Sequence, residues 1–342
     1  MKISQYFDNV LSLFTSLTSY HSDQLLLAGR AIHLNTPSPA LQHLFIESLS
    51  HLISKENTIS PELTIYYAEE KDLPGKLGAP PWKEFNAQGI TTEIDQEDIQ
   101  IFFLPWQKQV FLYSRVKRTG IYWVKSAKDV PWWETTFSFR TIFHLWTRDL
   151  PAQLVHAGAI ANEHSGILIT GPGGSGKSTS CLNLVKAGYK YLGDDYVWVE
   201  VKPQPVAHAL YQTAKIEAYN LHERFNDWIP FIKNTENYNK QKAIFDIKQL
   251  FPAQWLSSVQ IKAILLPRLS GMEGSSFGHT QPSGALMAMA PTTLHHLPHH
   301  REISYQKLKT ISAGLPAYNW CLGYNTTLFQ SSFHHFIANE LS

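Results

Sequence analysis

The sequence predicts an α/β fold built around a phosphate-binding loop over residues 151–342, preceded by an α+β domain over residues 1–150. Three observations carry this. Gly171-Pro172-Gly173-Gly174-Ser175-Gly176-Lys177-Ser178-Thr179 fits G-x-x-x-x-G-K-[ST] without a mismatch. A paired acid, Asp194-Asp195, stands 17 residues past Lys177. A break falls at Asp149-Leu150-Pro151, between an aromatic-rich half and the glycine-rich half.

The loop has the flanks it needs. Gly166–Thr170 is an apolar, β-branched run that reads as the strand entering it, and Ser180–Ala187 reads as the helix leaving it, with Gly188 as its C-cap. Glycines let backbone N–H groups turn inward around phosphate oxygens, and the helix N-terminus adds partial positive charge. Lys177 supplies a full charge, and the Ser178 hydroxyl is a ligand for Mg²⁺. The pattern points to a bound nucleoside triphosphate.

The acid pair follows from simple lengths. A helix of about 11 residues travels roughly 16 Å away from the phosphates at ~1.5 Å per residue. A strand of about 5 residues at ~3.3 Å each returns the same distance. Asp194 and Asp195 are therefore expected at the carboxyl rim of the sheet, beside the loop, where open α/β sheets bind ligands. One acid can hold Mg²⁺ and the other can accept a proton from an attacking hydroxyl. A solvated Gly-Asp-Asp turn is the dull alternative, and the flanking Tyr191, Tyr196, Val197, Trp198 and Val199 argue for a partly buried rim.

These residues carry a resemblance. Val155-His156-Ala157-Gly158, the hairpin at Glu163–Gly166, the glycine-rich loop, Ala187–Lys190 and Gly193-Asp194-Asp195 together resemble the HPr serine kinase/phosphorylase family. They are closer to its stand-alone relatives, the HPr-kinase-like serine kinases found beside peptide-modification genes, including lasso-peptide kinases. The resemblance continues more loosely through Tyr211–Lys215, Lys240–Lys242, Leu250–Pro252 and Leu265–Arg268. It implies a core shared with phosphoenolpyruvate carboxykinases, a ring-shaped homo-oligomer, and Mg²⁺-dependent transfer of the ATP γ-phosphate to a Ser/Thr hydroxyl of a protein or peptide. It further implies that Lys177 grips the β/γ-phosphates and Ser178 holds the metal. Asp194 is then the general base, Asp195 stands second to it at the metal, and His156 pairs with the acids. The two acids' roles stay interchangeable at this point. Glu217 is the nearest counterpart of a family metal-supporting glutamate, but the Arg-Gly that should follow is missing, so a reverse phosphorylase reaction is not expected. Residues 1–150 show no HPr-kinase pattern, which argues against HPr as the acceptor.

Elsewhere the chain reads more locally. Gln24–His33 is expected as a strand, and Pro39–Leu52 as a helix capped by Ser38 with Leu41, Leu44, Phe45, Leu49 and Leu52 on one face. Leu63–Ala68 is a strand, 71–88 a loop, Val110–Val116 and Ile121–Lys125 a hairpin, and Trp133–Trp146 a helix. Past the boundary, Leu154–Ala161, Tyr196–Val201 and Ile261–Leu266 read as strands, Gly271–Gly284 as a mobile lid, and Ser331–Leu341 as a helix.

Further candidates compete with ordinary roles. Arg268 stands at a strand tip as a phosphate ligand or a plain surface arginine. Lys242 is a phosphate clamp or a solvated charge, and His156 a catalytic or a structural histidine. The histidines of 295–300 lack an acid or cysteine to complete a metal set, and Pro298 interrupts them. Asn239–Lys242 lacks the Asp of a guanine-reading N-K-x-D, and Leu269-Ser270-Gly271 lacks the Gly-Gln of an ABC signature.

Composition sets bounds on partners. Lys+Arg 29 against Asp+Glu 28 gives no basic excess, so no nucleic-acid partner is expected. Two cysteines give no disulfide framework, no signal peptide is recognisable and no apolar run is long enough to span a membrane. A cytoplasmic setting is the expectation. The leading expectation is an ATP- and Mg²⁺-dependent serine/threonine kinase whose N-terminal half captures the acceptor. Its alternatives are a small-molecule kinase or carboxykinase on the same core, and a nucleotide-gated binding module without chemistry.

Overall fold

The computed structural model describes residues 1–55, 59–76, 79–94, 96–297 and 299–341. They form two units, Met1–Trp146 and Thr147–Ser342, dividing a few residues before the expected break. Leu77 and Gly78 of the expected 71–88 loop, and Pro298, lie outside the described residues.

Unit one is a six-stranded sheet. Its strands are β1 (His21–Leu27), β2 (Arg30–Thr36), β3 (Leu63–Glu69), β4 (Ile99–Leu104), β5 (Gln109–Ser114) and β6 (Thr119–Val124), in the order β1-β2-β3-β6-β5-β4. β2, β3 and β6 run parallel, and the remaining pairs are antiparallel. The helix Ile3–Thr15, not foreseen from sequence, buries Tyr6, Phe7, Val10 and Phe14, a helical spacing that makes one apolar face. Ser38 caps Pro39–Ile46 by accepting from Leu41 N at 3.4 Å.

Two expectations here are corrected. The single strand over 24–33 is a hairpin, because Ala28 (φ 50°) and Gly29 (φ 77°) reverse the chain in a left-handed turn. The helix over 133–146 is two short helices, Trp132–Thr136 and Arg140–Trp146, interrupted where Phe139 takes φ 58° and buries its ring against Phe45 and Tyr67. Core packing outweighs helical continuity there.

Unit two is a mixed α/β structure. Its strands are β7 (Ala152–Val155), β8 (Gly158–Ala161), β9 (Gly166–Ile169), β10 (Lys190–Gly193), β11 (Val197–Glu200), β12 (Val206–His208), β13 (Thr213–Ile216), β14 (Ala243–Asp246), β15 (Ser258–Leu269), β16 (Ser276–Thr280) and β17 (Ala317–Leu322). The main path is β10-β8-β9-β15-β12-β11-β7, with β17 between β15 and β16, and β13-β14 a separate pair. β9, β15 and β17 are parallel neighbours. Period-two alternation assigns each strand residue a side. Ile167 and Ile169 pack with Leu184, Trp320 and Phe333, beside the helices Lys177–Lys186 and Thr326–Glu340. Leu168 and Ile264 pack with Met289, Leu308 and Ile311, beside Pro282–His296 and Arg301–Ala313. A third cluster joins Leu182, Val185 and Tyr191 to Ala214, Ile216, Phe225 and Phe245.

Two further readings change in this unit. The strand over 154–161 breaks at His156-Ala157, so β7 pairs β11 while β8 pairs β9 and β10. The 271–284 stretch is not a free lid. Ser276–Thr280 pairs antiparallel with β17, and Met272 O and Glu273 O accept from Tyr324 N and Asn325 N at 3.0 and 3.1 Å. No helix among the described residues is long and apolar enough to cross a membrane.

Candidate functional site

The glycine-rich loop runs from the end of β9 into the helix that starts at Lys177. Thr170 N donates to Leu265 O at 3.0 Å, tying the residue before the loop to β15, and Ser180 N closes the first helical turn on Gly176 O at 2.9 Å. Gly176 needs to be glycine twice over. Its φ is +99°, and a Cβ there would meet Leu322 Cδ1 at 2.5 Å. Gly176→Ala is expected to cost roughly 2–4 kcal/mol from backbone strain and overpacking together, read by urea unfolding; an unchanged midpoint would count against this packing.

The loop lysine is buried and turned onto its own loop. Lys177 Nζ donates to Gly171 O at 2.8 Å and Pro172 O at 3.0 Å. Burial pushes its pKa down, against the pull of the Asp195 charge. Ser178 Oγ donates to the Asp194 carbonyl at 3.4 Å, and Thr179 O accepts from Asn183 Nδ2 in the next turn. The helix therefore meets the end of β10. That approach is close because β8 carries Gly158, where a Cβ would lie 2.4 Å from Cys181 Sγ and 3.5 Å from Asp194 Cα.

The two acids sit in different company. The Tyr191 hydroxyl lies 3.1 Å from Asp194 Oδ1 and 3.3 Å from Thr213 O, so it donates to one at a time. Asp194 Oδ2 is buried without a hydrogen-bond partner among the described residues. Burial, and then the neighbouring Asp195 charge, raise the Asp194 pKa to about 6. Both oxygens of Asp195 are engaged, Oδ1 by His156 Nε2 at 2.6 Å and Oδ2 by Lys215 Nζ at 3.0 Å. Burial works to raise the pKa of Asp195, but Lys215 and His156 outweigh it and hold the carboxyl well below the usual range.

His156 occupies the break between β7 and β8. Its backbone N–H donates to Thr293 Oγ1 at 3.1 Å, and its ring packs against Tyr196 and His296, with centroids 5.3 and 4.7 Å away. Lys242 is bonded to Glu217 at 2.9 Å, with Lys242 half-buried and Glu217 exposed. Burial lowers the Lys215 pKa as it does that of Lys177, and the nearby Lys242 charge adds a smaller push in the same direction on both. Arg268 turns elsewhere, with Nε donating to Cys321 Sγ at 3.1 Å on β17.

The structure thus brings together Lys177, Ser178, Asp194, Asp195 and His156, with Lys242 at their margin. Glu217 is bound to Lys242 and is not among the described ion-pair or hydrogen-bond partners of the acids, and Arg268 lies on the β17 side of the loop. Lys215 and Tyr191 carried no role in the sequence reading. The available signal was a lone lysine between the apolar Ala214 and Ile216, and a tyrosine three residues before the first acid. No group of three or more His, Cys, Asp or Glu among the described residues is arranged to hold a metal ion, and the histidines of 295–300 form no such set.

The residues fit a triphosphate and a divalent cation. A Cβ at Gly173 or Gly174 would touch nothing within 4 Å, so the loop backbone is open to a ligand there. Thr170 Oγ1 and Ser175 Oγ are buried without hydrogen-bond partners among the described residues. Ser178 supplies a hydroxyl oxygen, a hard donor of the kind Mg²⁺ takes alongside phosphate and water.

No protein-family model matches the chain, and no curated protein matches it. Among solved structures, the chain is similar to the Hpr(Ser) kinase/phosphatase from Coxiella burnetii, with a TM-score of 0.33 and 13% sequence identity, over 56% of this chain and 99% of that one.

Proposed function

We propose that this protein is a Mg²⁺-dependent kinase that transfers the γ-phosphoryl group of ATP to a serine or threonine hydroxyl of a protein or peptide. The observation that carries this reading is the meeting of a phosphate-loop helix and a dry carboxylate at one sheet edge, where Ser178 Oγ reaches Asp194 O and Asp194 keeps one oxygen unengaged. The choice of a protein or peptide hydroxyl as acceptor rests on the sequence resemblance over 155–200.

ATP, held with Mg²⁺, supplies an activated phosphoryl group. The loop N–H groups and Lys177 would bind the β/γ-phosphates and offset the charge that builds on them, which is where most of the rate enhancement in such transfers arises. Ser178 would hold the metal. Asp194 accepts the proton of the acceptor hydroxyl as that oxygen bonds to phosphorus. The bond from phosphorus to the bridging oxygen breaks, and the departing diphosphate keeps its electron pair. A carboxylate with a pKa near 6 is ionised at neutral pH yet more basic than an ordinary aspartate, which suits it to that task.

The test uses the purified protein with γ-labelled ATP, Mg²⁺ and a library of serine, threonine and tyrosine peptides. Label should appear on phosphoserine or phosphothreonine and vanish with EDTA. ATP bound without transfer would overturn the reading in favour of a nucleotide-gated module, and label on a metabolite without peptide would favour a small-molecule kinase.

A further inference from the structure

We propose that Lys215 is a positioning residue for phosphoryl transfer: with His156 it takes up both oxygens of Asp195, so that Asp195 serves as a fixed, charge-balanced brace and not as a metal ligand, and the free oxygen of Asp194 alone faces the reaction. This deepens the kinase reading and rests on it for the catalytic arm of its test.

The geometry is unusual for a lysine. Lys215 lies on β13 between Ala214 and Ile216, both in an apolar cluster with Phe225, Trp228 and Phe245. Its side chain is 11% exposed, and its Nζ is 3.0 Å from Asp195 Oδ2. A buried ion pair is a poor stabiliser compared with a packed apolar pair, because desolvating both charges offsets most of their attraction. Its presence beside the acids is better explained by what it does to them.

Lys215 bears on Asp194 through its own charge, which works against burial and the Asp195 charge to lower the Asp194 pKa, and through Asp195. The two acids are consecutive, and Asp195 is clamped from two directions, by His156 at the β7–β8 break and by Lys215 from the separate β13-β14 pair. That clamp fixes the backbone on which Asp194 sits, while Tyr191 reaches the other Asp194 oxygen. It also offsets a carboxylate charge that would otherwise repel an incoming polyphosphate. A divalent cation on Asp195 would have to displace or crowd Lys215 and His156. The division of labour that the sequence left interchangeable is decided by these partners.

The test compares wild type, Lys215→Met, Lys215→Arg, Asp195→Asn and the double variant Lys215→Met/Asp195→Asn. One readout is Mn²⁺ binding by electron paramagnetic resonance in the presence of a non-hydrolysable ATP analogue; the other is kcat and KM with a peptide acceptor. Mn²⁺ affinity should stay within about threefold of wild type in every variant. A displaced reacting group costs up to about 10²-fold in rate, so kcat should fall roughly 10–100-fold in Lys215→Met with KM for ATP little changed, and Lys215→Arg should recover most of it. If Lys215→Met does not fold, the double variant, which removes the carboxylate that the loss of Lys215 would otherwise leave stranded, should fold, bind Mn²⁺ and show the same loss in kcat. A tenfold or greater loss of Mn²⁺ affinity in Asp195→Asn would overturn the proposal. So would an unchanged kcat in folded Lys215→Met or the double variant, or an arginine no better than methionine. Failure of wild type to phosphorylate any acceptor would sink the kinase reading, and the Mn²⁺ arm would still decide whether Asp195 is a metal ligand.

Discussion

Replacing Asp194 with asparagine is expected to lower kcat for phosphotransfer about 10²–10⁴-fold, the range a positioned general base contributes, while ATP still binds. The same change should stabilise the protein at pH 8 in the absence of metal and nucleotide. The physical cause is one buried carboxylate. Burial and the adjacent Asp195 charge move its pKa from 3.8 to about 6. Below about pH 3.8 the group is protonated in both the folded and the unfolded chain, and the folded state carries no penalty. Between 3.8 and about 6 the unfolded chain has released the proton and the folded one still holds it, so stability falls as pH rises. Above about 6 the whole penalty is present, on the order of 3 kcal/mol at ~1.4 kcal/mol per pH unit. Asparagine has no such charge. Urea unfolding of the two proteins at pH 4 and pH 8 should therefore show a gap that widens with pH in favour of the variant. A constant gap, or full activity in the variant, would remove Asp194 from the role of base.

Lys215→Met should destabilise the protein by about 3–5 kcal/mol, the usual consequence of stranding one member of a buried ion pair. Asp195 would be left with His156 alone, in a site where the Lys215 charge, together with His156, now outweighs the effect of burial on the acid. Adding Asp195→Asn to Lys215→Met removes the stranded charge and should restore most of the loss. A double-mutant cycle by urea unfolding measures this directly, and a single variant within about 1 kcal/mol of wild type would show that solvent screens the Lys215–Asp195 pair. Both predictions concern the same pair of acids, but they separate cleanly. One removes a charge that folding tolerates poorly, and the other removes the charge that makes its neighbour tolerable.

Much of the local structure was legible because its causes are local. The loop at 171–179 is spelled out by glycines whose backbone angles other residues resist, and Ser38-Pro39 marks a helix start by its own cap. The strand at Gly166–Ile169 shows its two faces in three consecutive residues. The hairpin at Ala28-Gly29 was missed because only Gly29 and Arg30 interrupt the apolar run, and the helix break at Phe139 because the ring's neighbours come from distant parts of the chain. The lid expected over 271–284 failed for a related reason. Its glycines and serines suit a mobile loop, but the free edge of β17 captured residues 276–280 as a strand.

At the site, the amino-acid order by itself determined that a glycine-rich turn, a lysine and a hydroxyl would sit between a strand and a helix, with two carboxylates a short helix and strand away. Each of those depends on backbone preferences and on distances that chain geometry dictates. Which carboxylate stays open was decided only by the tertiary structure. The partners that choose, His156 and Lys215, lie about forty and twenty residues from Asp195 along the chain and approach from the β7–β8 break and from β13. Electrostatic pairing in a dry interior depends on what burial brings together, and no spacing rule along a sequence encodes that.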